Sequence, residues 1–305
     1  MSVAPLPIRD GLNPTRVHLP PDGDWPTVVA YLVHRFPADE PRLLEKIDAG
    51  EVVTGEGWPV TPDTPYRART FVYLYRDVQF EERIPFEIDI LYRDDSVLVV
   101  DKPHFLSTMP RGRYIVESAV VRLRRDLDLP TLSPAHRLDR LTAGVLLFTV
   151  DPAVRGAYQT LFAAGKVHKE YTAIARDDPT LELPTTVRSR IVKERGVPRA
   201  QEVPGEPNAE SRVERAEVRG EWARYRLLPR TGKTHQLRLH MWSLGIPIVG
   251  DTFYPELRDA DPGDYSEPLR LLAGSLEFTD PFSGRIRRFD TRRTLTWPTG
   301  ATAPS

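Results

Sequence analysis

The sequence predicts an α+β fold: a larger domain on a mainly antiparallel, mixed sheet, preceded by a small N-terminal α/β module. Three observations lead there. Strand-like segments come in groups joined by hairpin-type turns, with only occasional helical stretches between them. The texture changes near Ile84, where short amphipathic pieces give way to long apolar runs. Finally, 30 prolines in 305 residues, about twice the usual share, gather in clusters that interrupt helices and strands. Those clusters lie near the N-terminus, in GWPVTPDTPYR, in QEVPGEPNAE and in the tail WPTGATAPS. A chain of this length suggests about two domains. We place them at residues 1–80 and 84–297, with a flexible tail at 298–305.

In chain order, Val28, Val29, Leu32 and Val33 recur at helical spacing, as do Leu43, Leu44 and Ile47 before a Gly50 stop. EVVTGEG and TFVYLYRDV then read as short strands. In IDILYRDDSVLVVDKP two strands flank an Asp94-Asp95 turn, and Val97 to Val100 are apolar enough to be buried on both faces. GVLLFTV is a second buried strand. DPAVRGAYQTLFAAGKV is helical, with Ala153, Ala157, Leu161 and Phe162 on one side and Gly165 as its C-terminal stop. Strands follow at KEYTAIAR, SRVERAEVR, EWARYRLLP and LRLLAGSLEF, with a helix through THQLRLHMWSLG.

Bulk composition narrows the chemistry. Hydrophobic content of 40% with 28% charged residues is ordinary for a globular protein. No apolar run approaches the roughly 18 residues of a membrane span, and the N-terminus has no apolar core of a secretory signal. A cytoplasmic location is the expectation. With no cysteine, disulfides, thiolate metal sites and a cysteine nucleophile are excluded. The net charge is −1, yet residues 186–240 hold thirteen basic and seven acidic residues, a net of +6. Residues 1–80 hold eight basic and eleven acidic, a net of −3. This asymmetry suggests a face for anions, although a charge-rich stretch is also what a solvated surface looks like.

The most informative stretch is HRLDRLTAGVLLF, residues 136–148, where Asp139 sits between Arg137 and Arg140 at the mouth of a buried strand. It is either a surface ion pair, worth about 0–1 kcal/mol, or a nucleophile. GKTHQLRLHM invites two further readings. Gly232-Lys233-Thr234 looks like the end of a phosphate-binding loop, but position 227, where that motif needs glycine, is Leu. His235 and His240 are five apart, not the four that would put zinc ligands on one helical face. Thr234 and Arg238, four apart, would share a helical face.

Five segments, taken together and in order, resemble the RluA-type RNA pseudouridine synthases. They are LYRDDSVLVVDKP, HRLDRLTAGVLLFT, VHKEYTAIA, RTGKTHQLRLHMWSLGIPIVGD and LLAGSLEFTDPFSG, covering residues 91–284. The resemblance implies isomerisation of uridine to pseudouridine in structured RNA, ribosomal or transfer, without metal or other cofactor. It implies that Asp139 is the nucleophile, Tyr171 stacks on the target base, and Arg238 pairs with Asp139. Arg137 would help displace the target nucleotide from its helix. His136, Arg140, Lys169, His235 and Gln236 complete the expected RNA-contacting set, with His235 and Gln236 organising loops rather than moving protons.

The first chemical step stays open among attack at C1′, addition at C6 and removal of the 2′ proton. A monomer is expected. The N-terminal module stands where relatives have an S4-like RNA-binding domain, which it echoes only faintly. Leu272 and Asp280 replace common histidines, Ala143 replaces a common serine, and Thr108 and Met109 interrupt a blander segment.

Two other classes compete. A glycoside hydrolase would use two carboxylates about 5–10 Å apart, and no second acid near Asp139 falls in a motif. A non-catalytic RNA-binding or RNA-folding protein on the same scaffold would lack turnover.

Overall fold

The computed structural model describes residues 4–112, 114–259 and 261–301, so the expected tail beyond residue 301 lies outside them. The chain divides into two units: Met1–Glu81 with Arg124–Pro130, and Glu82–Leu123 with Thr131–Ser305.

In the N-terminal unit, β1 (Thr15–His18), β2 (Val53–Thr54) and β3 (Phe71–Leu74) form an antiparallel sheet in the order β1-β3-β2. Helices α1 (Val28–Arg35) and α2 (Glu40–Asp48) complete it. Thr27 caps α1, its hydroxyl accepting from the Ala30 amide at 3.1 Å, and Gly50 leaves α2 with φ +71°, a conformation costly for other residues. Val28, Leu32, Leu43 and Ile47 pack on Val17, Val72 and Leu74. The sequence pattern missed β1 because TRVH offers a single buried residue, Val17, among polar neighbours.

The second unit carries an 11-stranded sheet. Its strands are β4 (Asp89–Arg93), β5 (Val97–Lys102), β6 (Ser133–Pro134), β7 (Ala143–Thr149), β8 (His168–Arg176), β9 (Thr185–Val192), β10 (Gln201–Val203), β11 (Ala209–Arg219), β12 (Trp222–Pro229), β13 (Leu271–Thr279) and β14 (Ile286–Asp290). The main path runs β10-β9-β11-β12-β8-β13-β7-β5-β4, with β14 beside β13 and β6 beside β7. Every pairing is antiparallel except β13 with β7. The α+β expectation holds. Its helices are α3 (Ala119–Asp126, whose last turn groups with the N-terminal unit), α4 (Arg155–Ala163) and α5 (Gln236–Ser243).

β7 is buried along its whole length, which explains its unbroken apolar run. Val145 and Leu147 meet α4 through Tyr158 and Val154. The buried face of α4 therefore differs from the expected one: Ala153 is exposed and Tyr158 takes the core position. Tyr158 can do so because its hydroxyl donates to Asp280 Oδ2 at 2.6 Å.

The parallel join positions the site. Across it Ala273 faces Gly144 on one side and Tyr171 on the other. Gly144 has φ +113°, and a Cβ there would stand 2.2 Å from the Ala273 carbonyl oxygen. The close approach brings Tyr171 of β8 level with the start of β7, just past the turn holding Asp139.

Candidate active site

Asp139 occupies the turn entering β7, closed by the Thr142 amide donating to the Asp139 carbonyl at 3.1 Å. Its neighbour Leu138 is held from both sides by Thr108: the hydroxyl donates to the Leu138 carbonyl at 2.8 Å and accepts from the Leu138 amide at 3.1 Å. Thr108, flagged above as a departure from the family pattern, is thus the brace of the Asp139 turn. Lys102, wholly buried, donates to the carbonyls of Pro103 and Leu106 at 2.8 and 2.7 Å. Burial lowers its pKa to about 7, against the opposing pull of Asp139.

Arg238 on α5 is 2% exposed and makes a two-pronged bond to Asp251, Nε to Oδ2 at 2.7 Å and Nη2 to Oδ1 at 2.6 Å. Asp251 also accepts the amides of Phe253 and Tyr254. Burial opposes the Arg238 charge, but the Asp251 bonds outweigh it and raise its pKa. The remaining nitrogen, Nη1, lies 3.6 Å from Asp139 Oδ2. That is ion-pair range and too long for a hydrogen bond. The cation holds Asp139 by charge without occupying its lone pairs. The principal partner of Arg238 is thus Asp251, which the motif reading passed over although it ends GIPIVGD.

His235 enters the same site with φ +58°, and this left-handed residue starts α5 one position later. Thr234 therefore lies outside the helix and shares no face with Arg238, contrary to the spacing expectation. The protonation of His235 follows from its neighbours. Tyr254 Oη donates to the Ala200 carbonyl at 2.8 Å, so its one proton is used. The contact from His235 Nδ1 to that oxygen, 3.0 Å, must then carry the imidazole proton. Burial lowers the His235 pKa to about 4, so the ring is neutral near pH 7. Its lone pair on Nε2 faces Asp139 Oδ2 at 3.9 Å. Two acceptors thus flank one gap, where a single O–H or N–H of a ligand would fit.

Tyr171 is half-buried on β8, and burial together with the Asp139 charge raises its pKa, keeping the hydroxyl protonated. Arg137 is exposed, with no carboxylate within 4 Å among the described residues.

The structure therefore brings Asp139, Tyr171, Arg238 and His235 together, and turns other expected contacts inward. His136 stacks flat on Phe162 (4.3 Å between centroids, 14° between planes) while Nε2 accepts from the Leu147 amide at 3.1 Å. Burial lowers its pKa to about 3, so it is no cation for phosphate. Lys169 donates to the Thr231 carbonyl at 2.8 Å. Gln236 is satisfied at both ends, accepting from Thr231 Oγ1 and the Lys233 amide and donating to the Glu210 carbonyl and Ser211 Oγ. Arg140 lies over the Tyr114 ring at 4.8 Å and donates to the Phe105 carbonyl at 3.4 Å, bracing the loop after β5. Leu272 packs with Ala143 and Ile174, and Asp280 anchors a turn through the Phe282 and Ser283 amides.

Residues 96–243 match the RNA pseudouridylate synthase family. The chain is similar to the dual-specificity RNA pseudouridine synthase RluA of Vibrio vulnificus, 33% identical over 213 residues, covering 65% of this chain and 80% of the relative. It is likewise similar to the tRNA pseudouridine synthase C of Haemophilus ducreyi, 36% identical over 214 residues, covering 64% and 86%. In fold it is similar to human RNA pseudouridylate synthase domain containing 4, with a TM-score of 0.53 at 23% identity, covering 68% of this chain and 88% of that one.

Proposed function

Because this chain belongs to the RluA-type RNA pseudouridine synthases, we propose that Asp139 is the nucleophile through which it isomerises uridine to pseudouridine in RNA. The reaction breaks the N1–C1′ bond, turns the uracil and forms a C5–C1′ bond, with N1 gaining a proton and C5 losing one. Atoms are conserved, so a single reactive carboxylate suffices. One observation carries the assignment: Asp139, with its side chain 30% exposed, stands 3.6 Å from a guanidinium already neutralised by Asp251. The carboxylate is reachable by substrate and, among the described residues, is not consumed by hydrogen bonds.

The other groups follow from their chemistry. Tyr171 offers a flat face for an extruded uracil. Arg137, exposed at the rim, is suited to replace the base lost from the RNA stack, an extrusion that costs a few kcal/mol. The neutral His235 and Asp139 together accept a hydroxyl or imide proton, which orients the nucleoside between them. We take the enzyme to be a monomer. We take the substrate to be ribosomal or transfer RNA in the cytoplasm; the relative named as a tRNA pseudouridine synthase supports the second.

The test is to incubate wild type and Asp139→Asn with RNA lacking the modification and to score pseudouridine chemically. The substitution should reduce conversion below detection while the thermal melt and RNA affinity stay near wild type. Turnover retained by the variant would remove Asp139 from the role.

A further inference from the structure

The thirteen basic residues between Thr186 and His240 divide sharply in the structure. Eight of them (Arg188, Arg212, Arg215, Arg219, Arg224, Arg226, Arg230 and Arg238) have a carboxylate within 4 Å. Among the described residues, the cations without one are Arg190, Lys193, Arg195, Arg199 and Lys233, four of them in or just beyond β9. Cations with no carboxylate within 4 Å are thus concentrated on the β9–β10 hairpin, which also carries Glu194, Glu202 and Glu206.

That hairpin borders a groove of about 690 Å³ whose walls include Val197, Pro198, Arg199, Trp242 and Leu257. Trp242 is 39% exposed and Leu257 51% exposed, an unusual outlay of apolar surface beside so many cations. Arg199 is held in place, donating to the Pro255 carbonyl at 2.9 Å, with its guanidinium 5.6 Å from the Trp242 ring and 5.0 Å from Tyr254. Glu202, also on the wall, leans inward, its Oε1 3.9 Å from His240 Nε2. The groove wall is packed against the candidate site: Trp242 lies against Tyr254 (5.6 Å between centroids), Tyr254 bonds His235, and His235 faces Asp139.

We propose that this groove binds an unstacked nucleotide of the substrate RNA outside the target uridine, with Trp242 as the stacking surface and the hairpin cations on the adjoining phosphates. An aromatic face beside guanidinium and ammonium groups is the chemistry that holds single-stranded RNA without reading its sequence. The cations match a polyanion, and the packing of Trp242 on Tyr254 ties the groove wall to the element that carries His235 and Arg238. The inference rests on RNA being the substrate and adds a second point of contact.

An oligouridylate of about twelve nucleotides, long enough for such a groove, is titrated into the full chain with tryptophan emission and anisotropy as readouts. Emission should be quenched in wild type, and Trp242→Phe, which keeps a ring in place, should lose the quenching while affinity changes less than about threefold. Trp242→Ala and Arg199→Ala should each weaken binding by about tenfold; the second variant leaves the aromatic packing intact, so it reports even if the first is poorly folded. Wild-type conversion of uridine in cellular RNA is scored in parallel. Quenching without conversion supports the groove and removes the isomerase chemistry. Conversion without quenching, or affinity unchanged in both alanine variants, overturns the groove and would turn it over to a protein partner.

Discussion

The role proposed for Asp139 depends on residues packed behind it. Asp251 is the clearest of them. Removing it leaves Arg238 as a buried cation whose nearest remaining carboxylate is Asp139. Asp251→Ala should destabilise the fold by about 3–5 kcal/mol in a denaturant melt and lower single-turnover conversion, because the freed guanidinium can clamp Asp139. A stability change under about 1 kcal/mol would show that the Arg238–Asp251 pair is dispensable. Thr108 acts one bond further out. Thr108→Val leaves the buried Leu138 amide and carbonyl without their partner, at a cost of about 1–3 kcal/mol, whereas Thr108→Ser keeps the hydroxyl and should restore both stability and rate. Equal behaviour of the valine and serine variants would exclude the brace. At this scale the motif singled out Asp139, Tyr171 and Arg238 as candidates. It missed Asp251 because a carboxylate ending a loop motif does not reveal whether it points at solvent or at a buried guanidinium.

At the level of elements, the parallel contact between β13 and β7 is the most constrained. Gly144 is needed there by both conformation and space, so Gly144→Ala should push β7 off β13 and cost more than about 1 kcal/mol, because alanine cannot adopt that φ without strain. Chemical denaturation measures it, and a variant as stable as wild type would mean that the strands do not approach so closely. Apolar strands were legible: β5 and β7 are buried throughout and follow unbroken hydrophobic runs. Elements with polar residues at inward positions were not. β9 (TTVRSRIV) alternates inward and outward, but Thr185 and Ser189 take inward positions and only Ile191 is buried outright, so its period-2 signal is weak. α3 (AVVRLRRD) was hidden because Arg122, 1% exposed, occupies a core position where it donates to the Ile84 carbonyl at 3.2 Å and neighbours Glu117. A buried arginine looks like a surface residue until its partners are known.

Over the whole molecule, the titration of histidine should govern acid stability. His104, His136, His235 and His240 have pKa values lowered by burial to about 4, 3, 4 and 4, from an ordinary 6.5. Between pH 6.5 and about 4 the unfolded chain therefore binds protons that the folded chain refuses, and stability falls as pH falls across that window. Each histidine contributes up to about 1.4 kcal/mol per pH unit. Melts across the window should show this slope, and a flat profile would mean that the rings are accessible when folded. RNA binding should also weaken as salt rises, with a slope set by the few uncompensated cations rather than by all thirteen. Charge reversal at Arg195 should reduce that slope more than charge reversal at Arg226, which Glu170 and Glu214 already neutralise. Equal effects would mean that the ion-paired strands touch RNA as well. No helix among the described residues is long and apolar enough to cross a membrane.

The amino-acid sequence by itself determined the fold class, the order of the long apolar strands, the absence of thiol chemistry, and the identity of Asp139, Tyr171 and Arg238 as candidates. These are properties of composition, local periodicity and short motifs, each carried by neighbouring residues. Only the tertiary structure decided that Arg238 is shared with Asp251, that His235 presents a bare nitrogen to the site, that His136, Lys169 and Gln236 face inward, and which arginines remain uncompensated. Those outcomes depend on groups far apart in the chain, brought together by strand register and burial. The strength of a charge or hydrogen bond is set by what it meets there, not by what precedes it in the chain.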